Sequence, residues 1–392
     1  MDLELTADQQ ALAESVRAFV DAECPMALIR QVVEEGKAAD ELWAGMVALD
    51  WPALTVPEED GGIGLGPVEL SVVAEELGRV LAPVPFLATA AQFVPAVRAA
   101  GTPEQRRRFL GAVASGGLVG TLACAEAAGG LDPARIATTA TPVAGGWRLQ
   151  GEKRDVFDAG WADEIVVAAR LGGTEGTDGI GLFVVPAESV EIAPVHSLDA
   201  TRQLATVGLD GVEVAADRAL GEPGTSGPAL VQAVNEATTA LAAEMVGTSQ
   251  AIFDIVHAYV GEREQFGVKI GSFQAMKHKL ANMYVALESA RAVAYFAAAA
   301  LDEHDARAQA AVWMAKASAG DCQKLIAQEG IQSLGGIGYT WEHDMHLYVK
   351  RQKAQAALFG SGGEHRAKLA VHLGLDAPGS GGPDPGAGGE AD

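Results

Sequence analysis

Relative to its length, this chain is poor in positive charge: 28 Lys and Arg stand against 52 Asp and Glu, a formal net charge of -24. A surface of that sign repels nucleic-acid phosphates and acidic membranes, so any phosphate it binds must be gripped locally. Cysteine is scarcer still. Cys24, Cys124 and Cys322 are odd in number and far apart, which excludes a disulfide framework and a zinc cluster and fits a reducing cytoplasm. No basic segment followed by an apolar run opens the sequence, and no stretch approaches about 18 to 20 uninterrupted apolar residues, so neither a secretory leader nor a membrane span is expected. His343-x-x-His346 with Asp344 has the spacing of helical metal ligands but lacks a third, and no metal site is assigned. No Ser-His-Asp or reactive-cysteine grouping is visible in the linear order.

What the sequence does have is apolar mass in two alternating periods. Its 392 residues, 49% of them hydrophobic, can fill a core shared by two or three domains. Helical spacing runs from Thr6 through Leu12, Val16, Phe19 and Val20, and returns at about Ala39 to Val47, Val68 to Val80 and Pro103 to Ala112. The Gly-rich loop Pro57 to Pro67 lacks a preceding strand and a Lys-Ser pair, so it is not read as a phosphate cradle. Near Leu118 the pattern changes to short β-branched runs, LVGTLAC, WRLQG, EIVVAA, IGLFVVP, VEIAPV and ATVGLDGVEV, bounded by Gly and Pro. These predict an antiparallel sheet module. Helical period resumes at Pro228 and persists to about Leu373, and the Gly- and Pro-rich tail after Asp376 is read as disordered. The predicted class is α+β: residues 1–117 helical, 118–222 β, 223–375 a bundle resembling a four-helix bundle, and 376–392 a tail.

Within the bundle, Arg263 to Met283 places a guanidinium, an amide and an aromatic ring together at Arg263, Gln265 and Phe266. Such a group suits a phosphate-bearing, ring-containing ligand, because guanidinium pairs bidentately with phosphate and a ring packs on a heterocycle. It equally suits a helix C-terminus, with Arg near the last carbonyls and Gly267 as cap.

Two motifs in order narrow the choice. Arg263-x-Gln265-Phe266-Gly267, followed by Phe273-Gln274 and Leu280-Ala281-x-Met283, precedes Gln332-Ser333-Leu334-Gly335-Gly336-Ile337-Gly338-Tyr339, and both stand behind a β-module carrying ACAEAAGGLD and GEKRDVFDA. Across nearly the whole chain this resembles the FAD-dependent acyl-CoA dehydrogenase family. The resemblance implies a tetramer in which these motifs reach a neighbouring subunit's flavin. Arg263 would hold the pyrophosphate and Phe266 would pack near the flavin, with Gln265 and Gln274 beside them, while Gln332, Gly335 and Gly336 would meet the adenylate end. It also implies removal of hydrogens from the α and β carbons of an acyl thioester. A carboxylate takes the α proton, a hydride passes to flavin N5, and donors stabilise the thioester oxygen.

Several positions depart from the family pattern. Leu358-Phe359-Gly360-Ser361-Gly362-Gly363 matches the family's Tyr-Glu-Gly-Thr segment, so the usual base is absent, although a backbone N–H near Phe359 or Gly360 could still meet the thioester oxygen. The alternative base position, on the first bundle helix, is Ala237. Glu244 lies seven residues further on, on nearly the same helix face, and is the carboxylate assigned as catalytic; the competing reading has it face solvent or pair with a bundle Lys or Arg. Glu236 and Glu364 are weaker candidates, Glu364 being expected to pair with Arg366 or Lys368. The Thr-Glu-Pro-x-Ala-Gly-Ser-Asp pattern becomes Ala125-Glu126-Ala127-Ala128-Gly129-Gly130-Leu131-Asp132, and the aromatic-Ile-Thr/Ser pattern becomes Asp155-Val156-Phe157. Asp155 is expected to point away from the flavin. Thr201-Arg202 reads as fold support and Lys277-His278-Lys279 as a solvated face.

The expected function is therefore α,β-dehydrogenation of an acyl-CoA with FAD, by a cytoplasmic homotetramer or a heterotetramer with a related subunit. Electron transfer flavoprotein is the family's usual acceptor. The rival expectations are a non-catalytic partner subunit and another flavin oxidation on the same fold.

Overall fold

The computed structural model describes residues 4–127 and 131–375. The predicted tail and residues 128–130 of the Ala125 segment lie outside the described residues.

The N-terminal third is helical: α1 (Ala7–Glu23), α2 (Met26–Glu35), α3 (Asp40–Ala48), α4 (Pro67–Arg79), α5 (Phe86–Ala88), α6 (Val94–Ala100) and α7 (Pro103–Ala114). Helix starts follow capping chemistry legible in the sequence. Thr6 and Gln9 form a capping box on α1, and Thr102 and Gln105 form another on α7. Between α5 and α6, Thr89–Phe93 forms a π turn whose five residues are all buried.

The strands are β1 (Gly120–Ala123), β2 (Thr139–Val143), β3 (Gly146–Phe157), β4 (Glu164–Leu171), β5 (Ile180–Pro186), β6 (Glu191–Val195) and β7 (Leu204–Ala215). They form a seven-stranded sheet in the order β1-β4-β2-β3-β7-β6, with β5 also on β4. The sheet is mixed, which corrects the antiparallel expectation: β1 and β2 both run parallel to β4. The run Ile165–Ala169 of β4 is wholly buried, as suits a strand covered on both faces. A register shift in β3 between Lys153 and Val156 puts Asp155, at φ 51°, outside the ladder, while Val156 and Phe157 turn into the core. Asp155 is exposed.

The C-terminal bundle comprises α8 (Gly227–Glu262), α9 (Gln274–Asp302), α10 (Ala308–Leu334), α11 (Met345–Ala357) and α12 (Gly362–His372). By length and composition alone, α9 is long and apolar enough to cross a membrane. It nevertheless carries Arg291, which donates to Glu75 of α4 at 2.9 Å and to Gln250 of α8 at 2.7 Å. Helix α4 crosses α8 backbone to backbone. A Cβ at Gly247 would meet the Glu75 carbonyl oxygen at 1.8 Å, and one at Gly78 would meet the Glu244 oxygen at 2.2 Å. Glu244 therefore sits at the tightest crossing between the N-terminal domain and the bundle.

Candidate active site

Helix α8 stops at Glu262, and the chain turns into a two-residue hairpin: β8 (Glu264–Gln265) pairs with β9 (Val268–Lys269). The turn residues Phe266 and Gly267 have φ 54° and 78°, both positive, as tight hairpin turns require. Gly267 is thus the second residue of a hairpin turn, which corrects the helix-cap reading. The hairpin presents its side chains to the outside. Phe266 is 93% exposed and meets Phe273 edge-on at 6.3 Å, and Arg263, Gln265 and Gln274 are exposed beside it. Gln332, Gly335 and Gly336 are also exposed, at the C-terminal end of α10, and a Cβ on either glycine would meet nothing within 4 Å. Because α8, α9 and α10 are joined by short connections and alternate in direction, the ends of α8 and α10 lie at one end of the bundle. Together they form an outward ledge with a cation, amides and open backbone.

Inside, the predicted catalytic carboxylate is buried and fully partnered, which corrects the solvent-facing alternative. Glu244 is 3% exposed. Its two oxygens accept from Arg202 Nη2 at 2.5 and 2.8 Å, and Oε1 also accepts from Arg351 Nη1 at 2.7 Å. Arg351, on α11 and 0% exposed, pairs through Nε with Asp199 at 2.5 Å and donates to Thr201 Oγ1. Thr201 in turn donates to Asp199 at 2.5 Å. Asp158, at φ 48°, shares this field; burial pushes its carboxyl up to about 7, opposed by Arg202 and Arg351. This network links the β-module to α8 and α11, so Arg202 does support the fold. The void beside Glu244 and Arg202, walled by Leu77, Val84, Phe86 and Leu87, measures about 10 Å³, room for about one water.

The base segment is also held from within. Phe359 has φ 54°, and its ring lies 5.1 Å from that of Phe157. The guanidinium of Arg202 sits 4.9 Å over the Phe157 ring. Lys316 donates to the carbonyls of Gln355, Ala356 and Gly360 at 3.1, 3.3 and 3.0 Å, and burial lowers its ammonium to about 8. His365 Nε2 lies 2.9 Å from the Phe359 oxygen, with burial drawing the imidazole down to about 4. The Gly360 N–H, one of the groups expected to face a thioester oxygen, donates to Ala357 at 3.2 Å.

The other candidates have local partners. Glu236 binds Arg98 at 2.6 Å. Glu364 caps α12 through Ser361, which corrects its expected pairing with Arg366 or Lys368; Arg366 binds Asp321. Lys279 binds Glu329. Glu126 accepts from Lys153 at 2.5 Å and from the N–H groups of Ala137 and Thr138; against the burial that would raise it, Lys153 and these donors hold it below the usual carboxylate range. His343 accepts from the Met345 N–H and His346 stacks on Trp341, and no metal-binding group occurs among the described residues. Burial pushes the thiols of Cys24, Cys124 and Cys322 up to about 12, 11 and 11, so none offers a ready thiolate.

The helix–sheet–helix order is that of the flavoprotein dehydrogenases. Models of the acyl-CoA dehydrogenase N-terminal, middle and C-terminal domains match residues 6–117, 121–216 and 228–374. The chain belongs to the acyl-CoA dehydrogenase family, FAD-dependent oxidoreductases of lipid metabolism. It is 30% identical over 356 residues to acyl-CoA dehydrogenase IpdE2 of Mycobacterium tuberculosis, covering 90% of this chain and 93% of that protein. Among solved structures, the ChsE4-ChsE5 complex from Mycobacterium tuberculosis superposes with a TM-score of 0.86 at 25% identity, over 96% of this chain and 100% of that one. A glutaryl-coenzyme A dehydrogenase in complex with glutaryl-CoA superposes with 0.89 at 27% identity, over 96% and 97%.

The residues fit FAD unequally. The ledge fits, offering Arg263 to a pyrophosphate and open glycine backbone to an adenylate. Where the resemblance places the Thr or Ser that flanks the flavin and the catalytic base, this chain has Phe157 and Phe359 in ring contact at 5.1 Å.

Proposed function

We propose that this chain works in acyl-CoA dehydrogenation as one subunit of a heteromeric assembly, supplying the ledge of Arg263, Gln265, Phe266, Gln274, Gln332, Gly335 and Gly336 to FAD held against a related subunit. The observation that carries this reading is Glu244, whose oxygens are both occupied by Arg202 and Arg351. Both of its oxygens already accept hydrogen bonds from guanidinium groups, so neither is open to a substrate's α proton. It acts as the anchor that fastens the β-module to the bundle. FAD, when bound, supplies the hydride acceptor, and Arg263 neutralises its phosphates. The ChsE4-ChsE5 relative, named as a complex of two chains, supports the heteromeric form. Three free, buried cysteines support a reducing compartment such as the cytoplasm.

A second reading keeps Glu244 as base in a homotetramer that passes electrons to electron transfer flavoprotein. The apolar wall of Leu77, Val84, Phe86 and Leu87 beside Glu244 favours it, and it requires both guanidiniums to withdraw. Purification decides between the two. In the heteromeric reading the chain alone is colourless and gains flavin only on co-expression with a related subunit. A yellow homotetramer whose flavin is bleached by acyl-CoA, and no longer bleached after Glu244→Gln, establishes the second reading.

A further inference from the structure

Two aromatic side chains meet across the cleft between the β-module, at the end of β3, and the bundle, after α11. Phe157 stands where the resemblance places a Thr or Ser, and Phe359 stands where it places the base. Their centroids are 5.1 Å apart with ring planes inclined at 37°. Carbon atoms in contact sit about 3.5–4.0 Å apart, so a planar ring sandwiched between two side chains needs about 7 Å between them. The observed separation admits no third ring between the two. Phe157 is 3% exposed, and Arg202 covers it at 4.9 Å.

Nor is Phe359 on a free loop. The three carbonyls bound by Lys316 bracket its turn, and His365 holds its own oxygen. Its positive φ, unusual for a bulky residue, is maintained by these contacts. The ledge, by contrast, is open, with Phe266 93% exposed.

We infer that the isoalloxazine ring of FAD is not seated in this chain's own cleft, and that the chain binds the cofactor only through its adenosine-diphosphate half, on the ledge. The inference rests on the heteromeric reading above and deepens it: the ring belongs to the partner subunit's β-module.

The test is a pair of calorimetric titrations of the purified full-length chain, one with FAD and one with ADP. An FAD affinity within about tenfold of a measurable ADP affinity supports the inference; a preference for FAD beyond about tenfold, or no measurable binding of ADP, overturns it. A second arm opens the cleft with Phe157→Ser and Phe359→Gly. That variant, if folded by circular dichroism, should gain at least tenfold in preference for FAD over ADP, and an unchanged preference counts against the plug. The wild-type comparison stands whether or not the variant folds. Native mass spectrometry separates the two levels: a heteromer carrying one FAD per chain overturns this inference alone, whereas a homotetramer bleached by acyl-CoA overturns the heteromeric reading.

Discussion

Replacing Arg351 with Met probes the buried cluster where it is most concentrated. Arg351 is 0% exposed and touches Asp199, Glu244 and Thr201. Without it, three buried acids, Asp158, Asp199 and Glu244, face the single guanidinium of Arg202. Breaking a buried pair by removing one partner costs about 3–5 kcal/mol, because the remaining charge stays desolvated. Arg351→Met should therefore lower the unfolding free energy by that amount in urea titrations followed by near- and far-ultraviolet circular dichroism, whose coincidence tests cooperativity. Adding Glu244→Met should recover at least half of the loss, as buried pairs replaced by apolar residues are often neutral. A loss below about 1 kcal/mol, or a double variant as unstable as the sum of the singles, would refute an interdependent buried network.

Three further outcomes follow from single residues. Asp158 has a folded value near 7 against 3.8 for the free group, so the unfolded chain loses this proton first as pH rises; stability falls through the window from about 4 to 7 and levels above it. Asp158→Asn should flatten that slope, worth up to about 4 kcal/mol at 1.36 per pH unit, in melts taken from pH 4 to 8. Gly247→Ala drives a methyl to within 1.8 Å of the Glu75 oxygen, and the forced separation of α4 from α8 should cost several kcal/mol, of the order of overpacking; a melting temperature unchanged from wild type would contradict the crossing. Phe266→Ala, at a side chain 93% exposed, should leave the isolated chain's stability within about 0.5 kcal/mol while reducing flavin retention in the co-expressed assembly.

The layered order was legible because helical and strand periods change near Leu118 and Pro228, within two residues of the observed elements β1 and α8. The ledge residues were legible as a motif, but in the sequence Gly267 reads as a helix cap and the hairpin is not visible, since a two-residue strand has no period. Parallel pairing of β1 with β4 escaped because register between distant strands leaves no local pattern. The hardest point was Glu244. Its partners come from 42 and 107 residues away, and linear order does not say which of 28 Lys and Arg will fold back onto it. Lys316 carried a fainter signal, a lone charge between Ala315 and Ala317 on a buried helical face. What it holds, the Phe359 turn, is visible only in three dimensions.

The central claim is that this chain's carboxylate and cleft are committed to structure, with the flavin chemistry completed by a partner. The most direct measurement is the visible spectrum of the chain purified alone, saturated with FAD and then mixed anaerobically with acyl-CoA substrates of several lengths. The account predicts no bleaching of the flavin band by any of them, with or without Glu244→Gln. Bleaching by the wild-type chain alone that disappears in Glu244→Gln would contradict it.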